Sequence, residues 1–397
     1  MKIGIIKEGK TPPDKRVPFS PEQCEILVKD FGLNLVVQPS KVRCFKDEEY
    51  SARGIILQED LSDCDVLFGV KEVRKQDLIP GKKYFFFSHT IKEQPYNKTL
   101  LQTLLKKRIQ MVDYECLQDT DSQRILGFGR YAGIVGSYNA LLAWGQRTKT
   151  FELKPANLCE DMAEITSELQ KINVGNIKIT LSGNGRVAHG AMELLELAGV
   201  TKANPEEYIN ETFDKAVYTQ MKCHHYYSLQ GEAEFSYPHF YKNSAKYKVN
   251  FLPYLNPADI FISCHYWDNE SGPLFTIEDC TKTEFKTKVI ADITCDIQGS
   301  VPTTLRSTTI AHPLFGFDPK TNSEVDPFDE NGITIMAVDN LPCELPKDAS
   351  KDFGTALIND IIPELLNEDK NNIINRASIC LDGKLNSYYN YLKAYAR

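Results

Sequence analysis

An apolar run at residues 177–182 leads straight into Gly183-Asn184-Gly185-Arg186-Val187-Ala188-His189-Gly190, and then into a helical pattern over residues 191–197. Few architectures place a glycine-rich turn between a strand and a helix. Gly183 permits the tight turn, Gly185 lets backbone approach an anion, and a small residue at 188 lets the helix pack on the strand. The helix N-terminus adds N–H donors and a partial positive charge. The spacing G-x-G-x-x-A in this context predicts the pyrophosphate loop of a dinucleotide-binding α/β fold. Gly183, Asn184, Gly185, Arg186 and Val187 are its candidate cofactor-binding residues. A ribose-reading residue is expected ~20 positions on. There, residues 200–207 offer Lys202, which with Arg186 suits a 2′-phosphate, and Glu206, which suits a ribose hydroxyl. NAD and NADP both remain candidates.

The rest of the chain has the same rhythm. Residues 2–6, 33–38, 66–70, 84–87 and 109–113 read as strands. Ser20-Pro21-Glu22-Gln23 opens a helix with Ser as N-cap, Pro at the first turn and Gln23 completing a capping box; it ends near Phe31-Gly32. A further helical stretch covers residues 96–107. After a long helix over residues 127–151, whose Ala132, Gly133 and Gly136 allow close packing, strands are expected at 259–263, 289–293 and 333–338. Residues 226–247 read as an irregular insertion. Alternation of this kind predicts doubly wound parallel sheets. Polar residues recur where the early strands end: Lys7, then Lys71 and Glu72, then His89, then Glu115. Ligands of open parallel sheets bind outside these carboxyl ends.

Composition narrows the function. A chain of 397 residues suggests two or three domains. Its 46 Lys+Arg against 54 Asp+Glu, net charge -8, argue against a general nucleic-acid binder. No apolar run reaches the ~20 residues of a membrane span, and residues 1–7 read as a strand rather than a signal peptide. Eleven Cys without a C-x-x-C pair fit reduced thiols in a cytoplasm and disfavour a zinc site. His224-His225 lack metal-ligand company, and Cys116 reads as a small buried hydrophobe.

Several blocks together resemble a known family: Gln38-Pro39-Ser40, residues 54–60, Phe87-Ser88-His89-Thr90-Ile91-Lys92, Asp113-Tyr114-Glu115 and residues 183–190. They are similar to lysine-ketoglutarate reductase, the saccharopine-forming half of the bifunctional aminoadipic semialdehyde synthase. Residues 292–300, His312-Pro313 and Asp339-Asn340-Leu341-Pro342 extend the similarity toward the C-terminus. The chain more distantly resembles stand-alone lysine-forming saccharopine dehydrogenases and alanine dehydrogenase. Gln298-Gly299 resembles the alanine dehydrogenase pattern as much as the reductase one, and Arg130 stands where the reductases carry a neutral side chain.

The resemblance implies two Rossmann-like domains separated by a cleft: a catalytic domain of residues 1–130 with 340–397, and a dinucleotide-binding domain of 131–339. It implies a one-reaction version that lacks the saccharopine reductase domain. Lys71 and His89 match the family's acid/base pair, and Arg16 and Arg124 its carboxylate-binding arginines. Glu72 and Glu115 match active-site carboxylates, Lys10 and Lys92 substrate-site lysines, and Asp296 an aspartate near the nicotinamide ribose. Asp339, Asn340 and Leu341 fall on the cofactor side. The implied reaction is reversible, NAD(P)-dependent condensation of L-lysine with 2-oxoglutarate to saccharopine, with no metal, nucleic acid or membrane. Alanine dehydrogenase, or another amino-acid or opine dehydrogenase, is the alternative. Lys71 would act as a base only if burial and cationic neighbours lower its pKa, against the pull of adjacent Glu72.

Overall fold

The computed structural model describes residues 1–11, 13–229, 234–267 and 269–397. They form two compact units, one of Met1–Phe128 with Pro346–Arg397, the other of Gly129–Leu345. Each is built on an eight-stranded, mostly parallel sheet with helices, the α/β class expected from the alternation.

In the first unit, Lys2–Ile5 pairs with Asn34–Val37 on one side and Val66–Phe68 on the other. Ile56–Leu57 extends the first side, and Lys83–Phe86 then Gln110–Asp113 extend the second, all parallel. The winding direction reverses between Lys2–Ile5 and Val66–Phe68. The carboxyl ends of those two strands therefore frame a topological switch point, the place where ligands settle in such sheets. The strands are short apolar runs, as doubly covered parallel strands must be; Val66, Leu67 and Phe68 are all buried.

Pro346–Arg397 completes this unit. Ser378–Leu381 adds antiparallel to Gln110–Asp113, and Lys384–Leu385 follows it. The expected capping box is present at helix Pro21–Lys29: Gln23 N–H donates to Ser20 Oγ at 3.2 Å and Ser20 N–H to Gln23 Oε1 at 2.9 Å. The Gln23 amide also donates to the Lys351 carbonyl at 2.7 Å, tying the returning segment to this helix. The helix closes at Asp30, with Gly32 left-handed two residues on.

In the second unit, Lys178–Ser182 lies between Val217–Met221 and Ile260–Ser263. Val289–Asp292 and Ile333–Met336 follow on one side, again parallel. Leu314–Asp318 and Ser323–Val325 close that edge antiparallel. The switch point lies between Lys178–Ser182 and Ile260–Ser263. One expectation is corrected here: Thr201–Ala203, within the 200–207 stretch expected to read the ribose, is at the sheet edge, and Val217–Met221 takes the place beside the glycine-loop strand. Every residue of Val217–Met221 is buried, whereas Thr201 and Lys202 are exposed, so the more apolar run occupies the covered position.

The long helix Gly129–Thr148 packs on Arg186–Leu197 at two glycines. A Cβ on Gly133 would lie 1.9 Å from the Val187 carbonyl oxygen, and one on Gly190 1.9 Å from that of Arg130. Any side chain there would push the helices apart. The insertion is ordered rather than irregular: Tyr227–Leu229 pairs antiparallel with Tyr247–Val249, and helix Tyr237–Lys242 brings the Phe240 ring to 4.5 Å from that of Tyr227. Aromatic stacking orders a stretch without strand or helix periodicity. Residues 230–233 of it lie outside the described residues. No described helix is long and apolar enough to cross a membrane.

Candidate active site

At the first unit's switch point, Glu8 reaches from the end of Lys2–Ile5 to the end of Val66–Phe68. Its two carboxylate oxygens accept the Val70 N–H at 2.7 Å and the Lys71 N–H at 2.9 Å. Burial raises the Glu8 carboxyl to about 8. Neighbouring Lys7, the residue picked out from the sequence, instead pairs with Glu59. A bond across 62 residues leaves no trace in local pattern, which is why Glu8 escaped notice.

Lys71 itself is half-buried. Burial lowers its pKa, as do the charges of Arg16 and Lys10, against the opposing pull of Asp14 and Glu72. The opposition expected between Glu72 and the other neighbours thus resolves downward, away from the ordinary lysine value. Glu72 is engaged elsewhere, its Oε1 lying 2.5 Å from His89 Nδ1. Burial works to raise the Glu72 carboxyl, but the His89 hydrogen bond and charge outweigh it and hold it below the usual range. An ionised carboxylate only accepts, so Nδ1 carries the proton and Nε2 is the atom left for proton exchange. His89 adopts a left-handed φ of 52°, uncommon for a side-chain-bearing residue. Below it, Asp113 accepts the Ser88 N–H at 3.0 Å and the Glu115 N–H at 2.8 Å, fixing the loops that carry His89 and Glu115.

Arg16, 2% exposed, gives Nε and Nη2 to Asp14 at 3.0 and 2.6 Å and lies 4.1 Å over the Phe128 ring. Lys92 Nζ is 3.3 Å and Arg124 Nη1 3.9 Å from Glu115 Oε1, while Glu115 Oε2 is buried with no hydrogen-bond partner among the described residues. Lys10 is exposed and opens onto a pocket of about 590 Å³ lined also by Glu8, Arg74 and Tyr84, whose walls include neither Lys71 nor His89. Cys116 is partly buried, which pushes its thiol up to about 12.

In the second unit, Gly183 takes a φ of 107°, and a Cβ there would lie 2.5 Å from the Cys264 carbonyl oxygen. Gly185 is the N-cap of helix Arg186–Leu197 and supplies no side-chain cap. This 12-residue helix therefore turns an uncapped N-terminus toward the loop, the feature a pyrophosphate requires. Gly183, Asn184, Gly185, Arg186 and Val187 line a pocket of about 430 Å³. The residues present fit a dinucleotide.

Of the expected ribose readers, Arg186 lies in the loop itself, and Lys202 is linked to it through Gln220. Lys202 lies on the edge strand and donates to Gln220 Oε1 at 3.0 Å, and Glu206 belongs to the first turn of the next helix. Gln220, from the neighbouring strand, donates to the Gly183 carbonyl at 3.0 Å and to Asn184 Oδ1 at 3.1 Å. Asp296 and Asp339 are exposed beyond the carboxyl ends of Val289–Asp292 and Ile333–Met336. Asn340 donates to Cys343 Sγ, and Leu341 is buried beneath Gly136. His224 Nδ1 is 2.9 Å from the Tyr237 hydroxyl, and His225 Nδ1 accepts the Lys222 N–H. Arg130 forks onto Glu193 at 2.8 and 2.7 Å.

Residues 4–135 match the model of the alanine dehydrogenase/PNT N-terminal domain. The alpha-aminoadipic semialdehyde synthase of Arabidopsis thaliana is 30% identical over 437 residues, covering 98% of this chain and 41% of that protein. The chain thus spans less than half the length of this relative. The NAD(+), L-lysine-forming saccharopine dehydrogenase of Schizosaccharomyces pombe is 25% identical over 379 residues, covering 90% of this chain and 91% of that one. Among solved structures, an L-alanine dehydrogenase superposes with a TM-score of 0.62 at 16% identity, over 100% of this chain and 99% of the other; this likeness concerns the fold. The resemblance read from the sequence is borne out by these relatives.

Proposed function

We propose that the chain is a nicotinamide-dependent oxidoreductase that joins the ε-amine of L-lysine to the keto carbon of 2-oxoglutarate, giving saccharopine, and runs in reverse. The observation that carries this reading is the trio at the first switch point: a half-buried lysine with a lowered pKa, an ionised Glu72, and a histidine oriented by that carboxylate. Perturbed titratable groups held together at a sheet's carboxyl edge suit acid/base chemistry.

In the forward direction Lys71, as a neutral amine, takes a proton from the lysine ε-ammonium, and the freed amine adds to the keto carbon. The surplus proton on the nitrogen passes to the new alkoxide; His89, as the imidazolium with a proton on each ring nitrogen, then gives its Nε2 proton to the departing hydroxyl while the nitrogen lone pair closes the C=N bond, and water leaves. When bound, the dinucleotide supplies the hydride that reduces this carbon to the secondary amine. The three substrate carboxylates are met by Arg16, Arg124, Lys10 and Lys92. The unpartnered oxygen of Glu115 suits the α-ammonium of lysine. Gly183 to Val187 hold the pyrophosphate, with Asp296, Asp339, Asn340 and Leu341 toward the nicotinamide.

The test is oxidation of NADH and of NADPH by the purified chain, followed by nicotinamide absorbance, with lysine and 2-oxoglutarate together and separately. Turnover that requires both substrates is expected. Its absence with either nucleotide sinks the proposal. Faster turnover with pyruvate and ammonia replaces it with an alanine dehydrogenase activity, and nucleotide binding without turnover on any pair replaces it with a sensing role.

A further inference from the structure

Two residues beyond strand Ile260–Ser263, directly across the second switch point from the glycine loop, stands a histidine that the dinucleotide fingerprint does not include. The backbone of Cys264 and His265 fills the space a Gly183 side chain would need, so His265 is fixed against the loop. It is 6% exposed and lines the pocket of about 430 Å³ together with Gly183, Gly185, Arg186 and three tyrosines, Tyr237, Tyr241 and Tyr266.

Its two nitrogens are in opposite situations. Nδ1 lies 2.7 Å from the hydroxyl of Ser182, the last residue of the glycine-loop strand, itself 0% exposed. Ser182 Oγ also faces the Cys264 N–H at 3.4 Å, a donor. With one lone pair of Oγ turned to that donor, the serine proton is free to point at Nδ1, the arrangement that puts the ring proton on Nε2. That Nε2 is buried with no partner among the described residues. Burial lowers the ring's pKa to about 4, so at neutral pH it offers one N–H and no charge. An unpaired buried donor in a folded protein calls for an acceptor. The pocket that His265 lines is the one whose helix N-terminus suits a pyrophosphate.

We propose that His265 is a dinucleotide-binding residue, its Nε2–H held by Ser182 as a fixed donor to an oxygen of the bound nucleotide, a diphosphate or ribose oxygen. The inference rests on the dinucleotide reading of this unit and adds a residue to it. Ser182 and Cys264 act through His265, as positioning residues. An uncharged donor fixes the nucleotide without adding an ion pair, so it helps both phosphorylated and unphosphorylated forms.

The experiment titrates NADH and NADPH into the full chain and its variants, reading nicotinamide fluorescence, alongside thermal unfolding without nucleotide. His265→Phe keeps ring volume but removes the donor, and is expected to weaken both nucleotides about tenfold, the effect of one neutral hydrogen bond left unmade. His265→Gln places an amide N–H near the Nε2 position and is expected to stay within about threefold of the parent. Parental affinity in His265→Phe overturns the inference while leaving the dinucleotide reading intact. Equal weakening in both variants overturns it too, because it marks a structural role. If the parent chain binds neither nucleotide, the dinucleotide reading falls and this inference falls with it.

Discussion

The carboxylate of Glu8 accepts the backbone N–H of Lys71 at 2.9 Å, so the amine proposed as a base hangs from a residue anchored across the switch point. The other oxygen takes Val70, and the two bonds hold the loop entry rather than the lysine head group. An anchor that is itself ionisable ties the geometry of Lys71 to pH. Glu8 titrates at about 8 in the folded chain, against an ordinary 4.5. Stability on its account is therefore full below about 4.5 and is lost as pH rises toward 8. Glu8→Gln cannot titrate, so that part of the decline should vanish from denaturant unfolding measured across this window. An unchanged slope would place the buried proton elsewhere.

His89→Gln removes the group whose Nδ1 faces Glu72 and whose Nε2 exchanges protons. Turnover should fall about 10²- to 10⁴-fold, the usual range for an acid/base group. Dinucleotide affinity, which we assign to Gly129–Leu345, should not change. Full turnover in this variant would remove histidine from the mechanism.

Gly183→Ala meets two obstacles at once, a φ of 107° and a carbonyl oxygen 2.5 Å from the new carbon. The combined strain and overlap should cost roughly 2–4 kcal/mol. Denaturation midpoint and nucleotide affinity should drop together. Affinity retained in a stable Gly183→Ala protein would mean that the loop is not the pyrophosphate site.

The strand beside the glycine loop ends at Met221 and is followed by Lys222, with no carboxylate there to receive a ribose 2′-hydroxyl. A 2′-phosphate suits that edge better. NADPH should therefore show the higher kcat/KM, and Lys222→Ala should cut it about tenfold while leaving NADH nearly unaffected. Equal use of both nucleotides by the parent chain would count against this edge as the ribose reader.

Local signals in the sequence were read well. The Ser20 and Gln23 capping box is a four-residue pattern, and both of its bonds are present. The glycine loop and the parallel strands are written in short apolar runs and turn residues, each legible without knowing what lies opposite. Lys71, Glu72 and His89 were found by position because they follow strands, and they converge at one edge. What escaped was pairing at a distance. Val217–Met221 displaces Thr201–Ala203 from the glycine loop because burial, not chain order, decides strand neighbours. Glu8 and His265 matter through Val70 and Ser182, partners 62 and 83 residues away. No window of sequence contains both ends of such a bond.

The first unit is left at Phe128 and resumed only at Pro346, with the whole of Gly129–Leu345 between. A ribosome adding about 5–20 residues each second takes tens of seconds to travel from Gln110–Asp113 to Ser378–Leu381. Throughout that interval Gln110–Asp113 is a bare rim of unpaired amides and carbonyls, open to any neighbouring strand. The hazard of wrong pairing thus belongs to the nascent chain on its polysome, and it ends when the last strand arrives.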